Sequence, residues 1–191
     1  MISKDREYLA FEMRAKDDEK MIVEGYAAVF NRETVLYSYD GIDYKESISP
    51  SAFEAAEMSD VVMNYNHQGK PTARTKNKTL ELLIDSIGLK IRAKLSGTEE
   101  GRRLYEEIKG GYIDKMSFAF TVLEDTYERE THTRRILRIK RLYDVAAVDI
   151  PAYDQTSIAA RSYLSAEAEK ERAEARKTEL QKKRLKLLLE V

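Results

Sequence analysis

The 191-residue chain has no cysteine and only two histidines. Without cysteine there is no disulfide framework and no thiolate nucleophile, and a reducing compartment is the natural expectation. Two histidines and no cysteine are too few ligands for a structural zinc site, so neither a metal nor a cofactor is expected. No segment approaches the roughly 18 apolar residues that a membrane-spanning helix needs. The charged, alternating start "MISKDREYLAFEMRAKDDEK" resembles neither a signal peptide nor a transit peptide. A charge excess is missing too, since 33 Lys and Arg stand against 34 Asp and Glu. That balance gives no global basic field to draw nucleic acid and no acidic tail. The chain reads as soluble and intracellular, without a membrane partner and without a case for nucleic acid.

What is present is 42% hydrophobic and 35% charged residues, enough for a core under a surface more charged than average. "REYLAFEMRA" alternates and is followed, after the charged turn "KDDEK", by "MIVEGYAAVF", which predicts a hairpin. Asp40–Gly41 signals a turn. Ser49 and Pro50 mark a helix start before "SAFEAAEM". "VVMNYNH" predicts a strand, and "KTLELLIDSIGLKIRAKL" a hairpin around 86–88. Thr98 caps a helix whose Leu104, Tyr105 and Ile108 recur at helical spacing, with Gly110–Gly111 as its stop. "KMSFAFTVLEDTYERE" and "RRILRIKRLYDVAAVDIPAY" are long β-branched and aromatic strands on either side of a turn at "THT". From Ser165 to Val191 the composition turns to Ala, Glu, Lys, Arg and Leu without Gly or Pro, which predicts one charged helix. Its seven-residue repeat of Ala166, Ala173, Leu180 and Leu187 is only half of a coiled-coil seam. The expected class is therefore α+β and β-dominated: a compact, mostly antiparallel, barrel-like domain with a few packed helices, over 1–161, and a charged helical tail over 162–191.

A serine nucleophile needs a base, and histidine, with an unperturbed pKa of about 6.5, is the natural one. His67 stands where an apolar strand gives way to a loop, a common place for reactive groups held on a rigid scaffold. His132 lies in the polar tip "ERETHTRR". Each reads equally as an ordinary surface histidine, and His132 fits that reading better. Ser117, in "GGYIDKMSFAFTV", interrupts the apolar run of Met116, Phe118 and Phe120. A core serine bonded to a backbone carbonyl would look the same. The G-x-S-x-G elbow of α/β-hydrolases is absent.

Four segments in order resemble the prohead (capsid-maturation) protease family of tailed bacteriophages, itself distantly similar in fold to the herpesvirus assembly proteases. They are "IVEGYAAVFN", "YKESISPSAFE" (with Ser51 where the family has glycine), "MNYNHQGKPTART", and "GGYIDKMSFAF" with "RLYDVAAVDIPAYDQT". The resemblance implies Ser117 as nucleophile and His67 as general base. It places Asp144 where the family often has Glu, as the carboxylate that orients the imidazole. Because Asp is one methylene shorter, that role demands a small backbone adjustment. His132 is the rival third member, by analogy with the herpesvirus enzymes, and Asp149 a further candidate whose odd spacing from Asp144 turns it to the opposite strand face. Oxyanion donors are expected near Ala152 and Tyr153. The implied activity is a serine endopeptidase that cuts the scaffolding segment of the major capsid protein, and then itself, inside the procapsid in the host cytoplasm. Self-association is left open, and the terminal helix is a candidate docking or self-cleaved element. The basic run from Arg134 to Arg141 reads as a solvated edge that discourages sheet pairing. The competing reading from another class is a non-enzymatic capsid assembly or scaffolding protein of the same fold; a metal-dependent hydrolase is disfavoured by the shortage of ligands.

Overall fold

The computed structural model describes residues 7–149 and 158–189. Along the described residues run β1 (Glu7–Asp17), β2 (Ile22–Val29), β3 (Thr34–Tyr39), β4 (Ile42–Ile48), β5 (Val62–Tyr65), β6 (Gln68–Arg74), β7 (Leu80–Ile84), β8 (Gly88–Lys94), α1 (Glu99–Lys109), β9 (Lys115–Glu128), β10 (Thr133–Val148) and α2 (Ile158–Leu189). The strands join in the order β3-β4-β10-β9-β1-β2-β8-β7, with β5 and β6 branching from β10. The sheet curls into a half-barrel, and the class is α+β and β-dominated, as the strand patterning predicts. No helix among the described residues is long and apolar enough to cross a membrane.

Local signals decide the hairpins and the short helix. β1 gives its first half to β9 and its second half to β2. Gly25 lies opposite Met13, and a Cβ there would come within 2.6 Å of the Glu12 carbonyl oxygen, so this crossing admits only glycine. In α1 the Thr98 hydroxyl accepts the Gly101 N–H at 2.9 Å, and Leu104, Tyr105 and Ile108 face the core. Gly111 ends that turn at a φ of +73°, a conformation that glycine adopts without steric cost. On β9 the residues Met116, Phe118 and Phe120 point inward. Phe118 stacks on Phe120 at 4.7 Å and meets Phe53 at 6.1 Å. Each such buried ring contributes roughly 1.5–3 kcal/mol.

β10 is the spine. One edge pairs with β9 over its whole length, while the other is taken in turn by β4, by residues 49–57 and by β5. This explains why "SAFEAAEM" is not the helix its composition predicts. Ala52 and Glu57 give their carbonyls to the Ile139 and Leu142 N–H groups, and the Glu57 N–H goes to the Lys140 carbonyl. A helix would withdraw those groups from the sheet edge, so the segment folds as successive turns, with i to i+3 bonds such as Glu54 N–H to Ser51 C=O. The sheet's demand for backbone partners outweighs helix propensity here.

α2 begins at Ile158, ahead of the composition change at Ser165, because Ala160, Leu164 and Ala168 form a stripe that buries against the sheet. Its later residues, from Ala173 to Lys186, are exposed. The helix is anchored where β9 meets β10. Tyr127 donates to Glu171 at 3.0 Å, and Arg134 lies 4.3 Å under the Tyr163 ring. Burial first, and Glu171 second, push the Tyr127 hydroxyl well above the ordinary tyrosine range. The basic run is largely neutralised. Arg135 pairs with Glu128 and Arg138 with Glu124. Arg134 is buried with Glu46 at 3.0 Å and Asp125 at 2.9 Å, both buried themselves. Removing the one cation leaves two desolvated carboxylates, so Arg134→Met is expected to lower the unfolding free energy by about 3–5 kcal/mol in urea denaturation.

Candidate active site

His67 sits in the tightest turn that can join two antiparallel strands. β5 and β6 meet at the Tyr65–Gln68 pair, leaving Asn66 and His67 as a two-residue loop, with φ values of +49° and +57°. Two positive φ angles define the I′ hairpin, whose usual second residue is glycine. A histidine there stores strain of roughly 1–2 kcal/mol. The hairpin is braced at its other end by Arg74, whose Nε and Nη2 grip Asp60 at 2.6 and 2.7 Å. The Arg74 hydrogen bonds hold the Asp60 carboxyl down to about 2.

The turn delivers the imidazole to a buried carboxylate. His67 Nδ1 lies 2.5 Å from Asp144 Oδ1, with the two side chains 15% and 5% exposed. A carboxylate can only accept, so Nδ1 carries the proton, and in the neutral ring that tautomer leaves the lone pair on Nε2. Asp144 follows a bulge in β10. Leu142 faces Phe120 and Asp144 faces Ala119, so Tyr143 is the extra residue. Bulges re-aim the side chains beside them, and this one stands next to Asp144.

Ser117 lies on the same sheet face as Asp144. It pairs with Ala146 on β10, two residues beyond Asp144. Diagonal neighbours of this kind stand about 7–8 Å apart, roughly the reach of one imidazole between two hydrogen bonds of about 2.8 Å. Around Ser117 this face carries the small side chains of Ala119 and Ala146, in contrast to the large ones on the core face. The Ser117 hydroxyl is buried and makes no hydrogen bond among the described residues, so it is not bonded to His67. The role of a core serine bonded to a carbonyl is not filled either.

The other candidates fall elsewhere. His132 is at the far tip of the β9–β10 hairpin, 3.1 Å from Glu171 of α2 and against the Tyr44 ring at 5.2 Å. Asp149 accepts from the Tyr65 hydroxyl at 2.9 Å, and its N–H goes to the Asn66 side chain at 3.3 Å. Ala152 and Tyr153 lie outside the described residues. Asn64 had no place in the sequence reading. It is buried beside Ala146 in the same row as Ser117, and its Oδ1 makes no hydrogen bond among the described residues. The only signal for it was the polar break in the apolar run of β5. A cleft of about 1010 Å³ opens beside the turn, between β6 and α1, and its lining includes Asn66 and Gln68, the neighbours of His67, but not the triad candidates themselves.

A family model described as caudovirus prohead serine protease matches residues 9–171. The chain belongs to that family. Membership makes it a serine protease of capsid maturation, with capsid proteins as its associates and the procapsid interior as its place. No curated protein and no solved structure matches the chain. For this prohead protease the I′ turn makes a direct prediction. His67→Gly and His67→Ala both lose the imidazole, yet the glycine variant is expected to be about 1–2 kcal/mol more stable in urea unfolding, because only alanine retains the strain of a positive φ.

Proposed function

We propose that this chain is the serine endopeptidase that cuts the scaffolding segment of the phage major capsid protein, and then itself, within the procapsid in the host cytoplasm. The observation that carries this reading is the 2.5 Å contact between His67 Nδ1 and Asp144 Oδ1, beside a buried serine hydroxyl on the same sheet face.

The chemistry is acyl transfer. Ser117 Oγ attacks the scissile carbonyl carbon while its proton passes to His67 Nε2, forming the O–C bond and a tetrahedral oxyanion. Asp144 accepts the Nδ1–H throughout, which fixes the tautomer and steadies the imidazolium. His67 then returns the proton to the leaving amine as the C–N bond breaks. A water deprotonated by the same nitrogen releases the acyl group from Ser117. For this sequence the Ser117–His67 hydrogen bond must form when substrate enters, since catalytic hydrogen bonds are commonly long before it does. The unformed bond is also what favours the second reading, a non-enzymatic assembly protein of the same fold.

Co-expression with the capsid protein separates the two. Ser117→Ala and His67→Ala are each expected to abolish capsid truncation, since loss of such a residue costs on the order of 10⁶ in turnover. Asp144→Asn is expected to cost about 10⁴, and His132→Ala to leave truncation intact. Truncation that persists in the serine and histidine variants defeats the protease reading.

A further inference from the structure

A site that cuts a peptide must also hold it, and an extended backbone presents a donor and an acceptor at almost every residue. β6 offers an edge for that purpose. Among the described residues it pairs with β5 alone, and its register jumps from Met63↔Ala73 to Tyr65↔Gln68, so 70–72, past the left-handed Gly69 at φ +74°, have no registered partner on β5; Pro71, which has no N–H, alternates to the inner side. At the end of the strand, Arg74 directs its N–H to the Thr79 hydroxyl at 2.8 Å and its C=O to the Thr79 N–H at 3.2 Å, away from β5. Strand alternation aims the backbone groups of Thr72 to that same outer side. Gly69, Lys70 and Thr72 form one wall of the cleft beside His67, and α1 forms the other.

The charges in the cleft are uneven. Glu99, Glu100, Glu107 and Asp149 line it against Lys70 and Arg103, and Lys70 is already held by Glu100 at 3.0 Å. Glu107 is half-buried and makes no ion pair among the described residues. Asp149 and Glu107 act on the same group, the Tyr65 hydroxyl. Its proton is held more tightly first by the hydrogen bond to Asp149, then by burial, and then by the two carboxylate charges.

We infer that the substrate lies in the cleft between β6 and α1 as an added strand along 70–72, and that Glu107 and Asp149 select a basic side chain of that strand. Strand addition takes its affinity from main-chain hydrogen bonds and its selectivity from the pockets met by alternate side chains. The inference rests on the protease reading for its purpose, but not for its physics. A flat surface edge would need no opposing wall, whereas here the helix excludes water from one side of the added strand, which strengthens both kinds of contact. Neither Glu107 nor Asp149 touches the reacting atoms; they are specificity residues.

The test uses the full chain carrying Ser117→Ala, so that bound peptide is not consumed. The probes are fluorescein-labelled peptides of alternating Thr and Lys, or alternating Thr and Glu, with binding followed by fluorescence anisotropy. The Lys peptide is expected to bind about tenfold more tightly at low salt, from two part-exposed ion pairs, and the preference is expected to shrink as salt rises. Adding Glu107→Gln, or separately Asp149→Asn, should cut that preference about threefold each. N-methylating every second amide of the Lys peptide should abolish binding in one frame and leave it within about twofold in the other, as expected where alternate amides point toward and away from the edge. Equal affinity for the two peptides, a preference indifferent to both carboxylate variants, binding insensitive to N-methylation in both frames, or no binding by either peptide would each overturn the inference. Capsid truncation by the unmutated chain is read separately. Its failure removes the protease reading and leaves the binding result standing, and a negative binding result leaves the protease reading untouched.

Discussion

The structure depends on the single outer edge of β10. A strand has one row of backbone groups on each side, and β9 occupies one row of β10 completely. The other row must be filled along a strand of 16 residues, and three short segments share it: β4, the turns at 49–57, and β5. No single strand could do so, because β10 is broken by register shifts at Ile136–Arg141 and again at Leu142–Asp144. Each shift changes the direction in which the edge offers its groups. The first admits the irregular 49–57 segment, and the second turns Asp144 toward His67. The candidate site is thus a by-product of how one edge is satisfied: β5 brings the His67 turn because it pairs beside Asp144, and β9 brings Ser117 because it pairs on the other side.

This dependence decides what could be read in the sequence. Hairpins bounded by Asp40–Gly41 and by 86–88, and the helix between Thr98 and Gly110, are set by neighbours a few residues apart, and their signals are local. The segment "SAFEAAEM" carries equally good local signals for a helix, but the partners that prevent one lie beyond Ile136. Ser117 was visible as a polar break in an apolar strand, and His67 as one of two histidines. The meeting of His67 with Asp144 was not visible, because it depends on a bulge at Tyr143 and a strained turn at Asn66, neither of which has a composition of its own. Family resemblance supplied what local physics could not. Asn64 escaped both, since a polar residue at a strand's end looks like the beginning of a loop.

Stability and site chemistry are separated in space along the same two strands. At the hairpin tip, Arg134 is fully engaged by Glu46 and Asp125 and covered by Tyr163 of α2. His132 belongs to this anchoring end, against Glu171 and Tyr44. At the other end the Ser117 hydroxyl and Asn64 Oδ1 are buried and make no hydrogen bond among the described residues, and His67 has a positive φ. An unmet buried polar group costs roughly 1–3 kcal/mol, and backbone strain adds a similar amount. A sequence selected only for stability would place Ala at 117 and Gly at 67.

Those costs at the site are tolerable because the two ends share continuous strands. β9 and β10 remain paired from Glu128 and Thr133 to Lys115 and Val148, so order imposed at the anchored tip is carried along the ladder to the strained end. The docked first turns of α2 contribute in the same way, by clamping the tip rather than by touching the site. Burial of α2 ends near Arg172, and past that point it still holds the tip through Glu174, which pairs with Arg129 of the β9–β10 turn. The clamp thus runs from Tyr163 through Glu171 to Glu174, all of it at the anchored end of the two strands.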